Sequence, residues 1–281
     1  MRKNLLIVIA FTFGFQSYAG GGWVHNKYKG YFKVAQNVIR SPHLFDSDGN
    51  IVDIPTVSLY TTSVYGEYGL SDNLTAVVYM PFFVRSTLNK VEFRQSGNTI
   101  EGDAINSFGD TNIGFKYGFF QDRPVVMAAS LMLGLPLGSS EVSSERILQT
   151  GDGEFNQLVK IEASHSFAEL PFYASLLVGF NNRTNGFSDE FHWGGEVGFT
   201  SERLVAILKV YSIESFYNGD SAGNSQSNGV FANNTEYFSY TPELAYIINE
   251  SWGLSAAAGF AFSGRQILAA PNYSVGVFFS L

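Results

Sequence analysis

Near its C-terminus the chain alternates strictly between apolar and polar positions. Tyr273, Val275, Val277, Phe279 and Leu281 share one parity, and Asn272, Ser274, Gly276 and Ser280 the other, with Phe278 the one exception. Successive side chains of an extended strand point to opposite faces, so this stretch is a strand with one apolar face. Residues 109–120 repeat the pattern, setting Thr111, Ile113, Phe115, Tyr117 and Phe119 against Asp110, Asn112, Gly114, Lys116 and Gly118. Residues 191–200 do the same, and no helical period fits any of the three.

Segments of this kind occupy 28–39, 55–69, 74–86, 109–120, 125–136, 155–167, 172–183, 191–200, 204–216, 235–248, 252–263 and 271–281. Most are about the length that a tilted strand needs to cross a bilayer. Segments 55–69 and 204–216 carry apolar residues on both parities, so the pattern leaves their register open. The connections alternate in length. Five are tight, at 71–73, 121–124, 168–171, 201–203 and 249–251, and longer ones lie between them at 40–54, 87–108, 137–154, 184–190, 217–234 and 264–270. Short turns on one side and long loops on the other are the habit of bacterial outer-membrane barrels. The pattern therefore predicts an all-β fold, a transmembrane antiparallel up-and-down β-barrel of 12 strands, with both chain ends on the short-turn, periplasmic side.

Composition narrows the reading further. Aromatic residues make up 16% of the chain and charged residues 15%, against roughly 25% charged in ordinary domains. No apolar run after residue 19 is long enough for a spanning helix, and in lipid the alternative is a closed barrel. The apolar parity then faces lipid, with Tyr60, Tyr68, Phe82, Trp193, Trp252 and Phe279 placed for the interfacial girdles. At the N-terminus, Arg2 and Lys3 precede an apolar stretch from Leu5 to Phe15 and the small-residue site Ser17-Tyr18-Ala19. That order reads as a signal peptide over 1–19, leaving a barrel domain over 20–281 that opens with a short periplasmic leader at 20–27. The chain has no cysteine, so the sheet itself must supply its stability. The net charge of −8, which becomes −10 without Arg2 and Lys3, argues against nucleic acid as a partner. Outer-membrane lipid and a small solute are the expected partners, and no cofactor is expected.

The strand Gly109-Asp110-Thr111-Asn112-Ile113-Gly114-Phe115-Lys116-Tyr117 resembles the outer-membrane family named for the MetA pathway of phenol degradation. Leu133-Gly134-Leu135-Pro136-Leu137-Gly138 and Thr150-Gly151-Asp152-Gly153 are similar to that family too. The likeness covers the central and C-terminal parts better than residues 20–108. It implies a transporter of small, often hydrophobic or aromatic molecules, and it carries over no ligand-binding residue.

Charged residues within strands belong on the lumenal parity. The cations are Lys33, Arg85, Lys116, Lys160, Arg183 and Lys209; the anions are Glu67, Glu162, Glu196 and Glu243. With both signs present, they either line a polar conduit or form an ion-paired plug. In the first long loop, Asp46, Asp48 and Asn50, with Asp53 beyond, offer oxygen ligands around Gly49 as a candidate calcium site. Asp, Asn and Gly also form any exposed hairpin tip. Motifs of hydrolases and nucleotide enzymes are missing, and of the four histidines only His192, beside Ser188, Asp189 and Glu190, suggests a catalytic rim. The expectation is therefore a non-enzymatic barrel passing a small solute. Its alternative is a sealed surface protein that binds a partner through loops such as 217–234. The form recovered from the outer membrane should begin at Gly20, which N-terminal sequencing checks; recovery from the soluble periplasm would contradict the barrel.

Overall fold

The computed structural model describes residues 21–92, 97–140, 148–167, 170–220 and 231–281. Twelve long strands follow in chain order: β1 (Gly30–Phe45), β2 (Ile51–Ser71), β3 (Leu74–Leu88), β4 (Thr111–Phe119), β5 (Val125–Leu135) and β6 (Asn156–Ser166). The second half supplies β7 (Phe172–Arg183), β8 (Glu190–Thr200), β9 (Leu204–Ser215), β10 (Glu236–Ile247), β11 (Trp252–Arg265) and β12 (Asn272–Ser280). Each pairs antiparallel with its sequence neighbours. β12 returns to β1 through pairs from Tyr31–Ser280 to Ile39–Asn272, which closes the barrel. The predicted signal peptide and parts of four connections, including most of loop 217–234, lie outside the described residues.

Strand positions follow the alternation within a few residues, with one substantial difference. β1 and β2 continue past the expected ends as a hairpin paired from Ser41–Val57 to Phe45–Ile51, so the first long connection shrinks to residues 46–50. The strip Asp103–Ser107 extends the same wall by pairing with the upper part of β3.

The two ambiguous strands acquire a definite register. Leu59, Thr61, Ser63, Tyr65 and Glu67 of β2 face the barrel interior, as do Ile207 and Lys209 of β9. Apolar residues sit on both parities there because the interior itself holds Leu59, Tyr65 and Ile207. Phe278 has a similar explanation. It is buried inside the barrel against Tyr31, with ring centroids 5.6 Å apart, and lies over its cross-strand partner Gly253. A Cβ at Gly253 would come within 2.0 Å of the Phe278 ring, so glycine leaves the space that the inward phenylalanine fills.

The other parity points out. Val275 is 60% exposed, and Phe115, Leu131, Leu176, Val197, Leu208 and Leu254 extend the same apolar belt around the wall. Trp252 packs on Phe279 with centroids 4.8 Å apart at the short-turn end, and Trp193 stacks on Phe238 at 5.5 Å toward the other end. One irregularity crosses the β10–β11 pairing, whose register shifts between Phe238–Ser263 and Ser239–Ala261 and leaves Phe262 as the extra residue.

Val275→Arg should cost about 2–4 kcal/mol of folding stability in a bilayer if it lies near the midplane, whereas Ser274→Lys, which points into the lumen, should cost much less. Urea titration in lipid vesicles measures both, and equal costs would reverse the assignment of faces.

Candidate functional site: a chamber inside the barrel

Residues 21–29, of which 21–27 belong to the expected short periplasmic leader, cross the short-turn mouth of the barrel from inside. Gly22 N donates to Ser164 Oγ at 2.8 Å, and that hydroxyl donates to Ser175 Oγ at 2.7 Å. Gln121 Nε2 donates to Gly22 O at 2.7 Å, His25 N to Thr75 Oγ1 at 3.0 Å, and Lys27 N to Asp72 Oδ1 at 3.0 Å. Trp23 meets Tyr173 edge-on, with centroids 5.6 Å apart. Gly69 permits the passage, since a Cβ there would meet Asn26 O at 2.1 Å. The segment is thus held through its backbone by polar side chains of β3, β6 and the short turns. Nothing in an alternation pattern marks such a contact; the signal available was the run of inward Ser and Thr at one end of these strands.

Above this floor lies a cavity of about 660 Å³. Eight of the ten charged residues expected in the lumen line it: Lys33, Lys116, Lys160 and Lys209 with Glu67, Glu162, Glu196 and Glu243. Seven of them form two chains. Lys33 Nζ and Lys209 Nζ donate to the two oxygens of Glu243 at 2.7 and 2.8 Å. Lys116 lies 3.5 Å from Glu67 and 3.8 Å from Glu162, and Lys160 reaches Glu162 at 3.4 Å. His25 of the floor joins the second chain through Glu67 at 3.3 Å. Glu196 has no ion pair within 4 Å among the described residues. Four positive and four negative side chains leave the wall neutral overall.

Arg85 does not line this chamber. A bulge at Phe82, between the pairs Thr62–Phe83 and Ser63–Pro81, shifts the parity of β3. Arg85 therefore turns outward beside Tyr60, where its guanidinium donates to Asn106 at 2.9 Å. Arg183 faces inward but sits at the long-loop end, bonded to Asp152 at 3.1 Å, Glu154 at 2.9 Å and Glu190 at 2.6 Å. Asp110 completes this knot by accepting from Gly138 N at 3.0 Å and Asp152 N at 2.8 Å. A Cβ at Gly151 would come within 2.2 Å of the Asp110 carboxylate, so that carboxylate is packed directly onto the backbone of 150–153. The three motifs 109–117, 133–138 and 150–153, far apart in sequence, meet here. Beside them the long-loop end carries an apolar cluster of Val57, Leu88, Leu148 and Leu268.

The remaining candidates are dispersed. Asp46 Oδ1 accepts from the Asp48 and Asn50 amides at 2.9 and 2.8 Å, which makes it a turn-former, while Asp53 pairs with His43 at 2.9 Å. Among the described residues no group of three or more His, Asp or Glu is arranged to hold a metal ion. His192 contacts Glu190 at 3.0 Å and the Tyr211 hydroxyl at 2.7 Å, whereas Ser188 Oγ donates to Asn234 at 2.6 Å. Serine and histidine are therefore not joined as a nucleophile and base would be.

No family model and no curated protein matches this chain. Solved structures do match. The COG4313 outer membrane channel from Pseudomonas putida F1 is 11% identical, with a TM-score of 0.62 and coverage of 94% of this chain and 99% of that one. This is a barrel of the bacterial outer membrane. The KdgM porin (9% identical, TM-score 0.49, 89% and 99% covered) and the CymD monoaromatic hydrocarbon channel (10%, 0.42, 91% and 89%) are more remote. At these identities what is shared with the Pseudomonas channel is the fold.

The outer knot should respond to pH. Burial, and then the neighbouring Asp110, push the Asp152 carboxyl up to about 6 from its ordinary 3.8. Burial raises Asp110 as well. A carboxyl whose pKa is higher in the folded state favours folding while protonated, so its contribution declines as pH rises from about 4 through 6. Thermal midpoints at pH 5 and 7.5 should show the native barrel losing more stability over that interval than Asp152→Asn; parallel losses would contradict the assignment.

Proposed function

We propose that the barrel is a passive conduit for a small solute, closed in this structure by residues 21–29 across its short-turn mouth. The observation that carries the reading is the charge-lined chamber itself. A wall lined by eight ionisable side chains is out of proportion to what filling a small barrel requires, because apolar residues would do so without the cost of desolvating charge. Its balance of signs fits a solute path without strong ion selection. The likeness of motifs 109–117, 133–138 and 150–153 to the MetA-pathway family, whose members are regarded as transporters of small, often hydrophobic or aromatic molecules, supports the same class of function. We read residues 1–19 as the export signal and the protein as non-enzymatic.

The alternative, a sealed barrel displaying partner-binding loops, is favoured by one observation: seven of the eight charged side chains are tied into ion pairs, and residues 21–29 cross one mouth. Two variants separate the readings. Lys116 lies buried between Glu67 and Glu162, and Lys116→Met should cost about 3–5 kcal/mol because it strands carboxylates in the wall. Glu196→Gln removes no ion pair, so it should leave unfolding stability nearly unchanged while altering conductance. Planar-bilayer currents of the native protein, of Glu196→Gln and of a variant lacking residues 21–27 provide the measurement. The deletion should raise conductance severalfold. A barrel that stays silent to ions and to small neutral solutes after the deletion would sink the conduit reading.

A further inference from the structure

The chamber wall holds polar atoms that its ion pairs leave unused. Ser130 Oγ on β5, Glu162 Oε2 on β6 and Asn272 Oδ1 on β12 are buried and have no hydrogen-bond partner among the described residues. Glu162 Oε2 lies 3.8 Å from the Lys116 ammonium, beyond hydrogen-bond distance. Buried polar atoms in native proteins are rarely left without partners, and an orphan on a residue that lines a cavity marks a place that a small side-chain rotation opens to water or a ligand. Ser130 and Glu162 are diagonal neighbours on the paired strands β5 and β6, whereas Asn272 lies on β12 beside β1, so no single polar group on a ligand serves all three. Donors are available as well: the Lys209 side chain is 41% exposed and that of Lys160 21% exposed, and each ammonium has three N–H bonds.

We infer that the chamber binds a small neutral polyhydroxylated molecule, a sugar or sugar alcohol. This deepens the conduit reading and rests on the same chamber. Charge is the first argument. Four lysines and four glutamates line the wall, and all four lysines are paired, so an anionic ligand would have to break a pair to gain one, while a cation finds only Glu196 without an ion pair. Group chemistry is the second. A hydroxyl both donates and accepts, which suits a wall offering unpartnered acceptors at Asn272 and Glu162 and spare ammonium donors at Lys160 and Lys209. A carboxylate solute only accepts, an ammonium only donates, and a simple phenol carries one hydroxyl for several scattered groups. Shape is the third. Tyr31, Tyr65 and Tyr79 line the same chamber, offering aromatic surfaces to the C–H faces of a sugar ring. The volume of about 660 Å³ falls within the roughly 300–1,000 Å³ usual for small-molecule sites.

Isothermal titration of the full-length protein in detergent with D-glucose, sucrose, glycerol, phenol and benzoate tests this. Saturable binding of a sugar is expected, tighter than that of phenol or benzoate. Asn272→Leu should weaken it by about fivefold, the value of one lost hydrogen bond, without moving the thermal unfolding midpoint. Ser130→Ala should act in the same direction and protects the test against misfolding of the first variant. Absence of saturable binding by all three polyols, equal affinity in both variants, or tighter binding of phenol or benzoate would overturn the proposal. Binding is read without transport. Sugar affinity in a barrel that passes nothing after loss of residues 21–27 would refute the conduit alone, and conduction without sugar affinity would refute the ligand alone.

Discussion

Every backbone N–H and C=O in a bilayer must find its partner inside the protein, and the rest of this molecule follows from that requirement. The pairing of β12 with β1 satisfies it by removing both sheet edges. Closure then divides each strand into a lipid face and a lumenal face, which is why the apolar belt lies outside and the charged side chains inside. The extended β1–β2 hairpin and the strip at Asp103–Ser107 follow the same logic beyond the belt. They stand where water and loops are present, so they vary in length and carry a bulge without leaving backbone groups in lipid.

A closed wall of twelve strands encloses more space than side chains readily fill, and this protein occupies it in layers. At the short-turn end residues 21–29 form a polar and aromatic floor, anchored by Ser164, Gln121 and Thr75. The middle is the charge-balanced chamber. At the long-loop end the Asp110–Asp152–Arg183–Glu190 knot ties the loops after β5 and β7 to the top of β4. His25 links the first two layers through Glu67 and Lys116. A displacement of the floor is therefore felt in the chamber's ion pairs, whereas the knot has its own arginine.

What the sequence made legible was whatever depends on parity. Lys33, Lys116 and Lys160, with Glu162, Glu196 and Glu243, could be placed from alternation alone, since a two-residue period fixes the face once one apolar side is known, whereas Glu67 and Lys209 lie in the two segments whose register the pattern leaves open. Arg85 shows where that inference stops. A single extra residue at Phe82 inverts the parity of all that follows in β3, and a bulge leaves no mark in the pattern of apolar positions. Phe278 looked like an error in the pattern because its justification, the vacancy over Gly253, lies on the neighbouring strand. The floor was hidden for a related reason. Its contacts are made by backbone amides of 22–27, which every sequence possesses, and by Ser and Thr residues that read equally well as ordinary lumenal lining. The motifs 109–117, 133–138 and 150–153 were visible as motifs, but only the fold shows that Asp110 is their common acceptor.

The two ion-pair chains of the chamber differ in a way that bears on how a conduit coexists with a stable barrel. Lys116 is almost fully buried between two carboxylates, and a charge so placed behaves as a structural member: removing it leaves its partners desolvated and unpaired. Lys209 keeps 41% of its side chain exposed to the cavity while sharing Glu243 with Lys33. A pair in contact with water loses little on opening, because solvent replaces the partner and screens the charge. The wall thus combines a rigid part on the β2–β4–β6 side with an adaptable part on the β1–β9–β10 side, and Glu196, without an ion pair of its own, faces Lys209 across β8–β9. A passing solute that exchanges hydrogen bonds with the adaptable part need never disturb the pairs that hold the barrel's interior together.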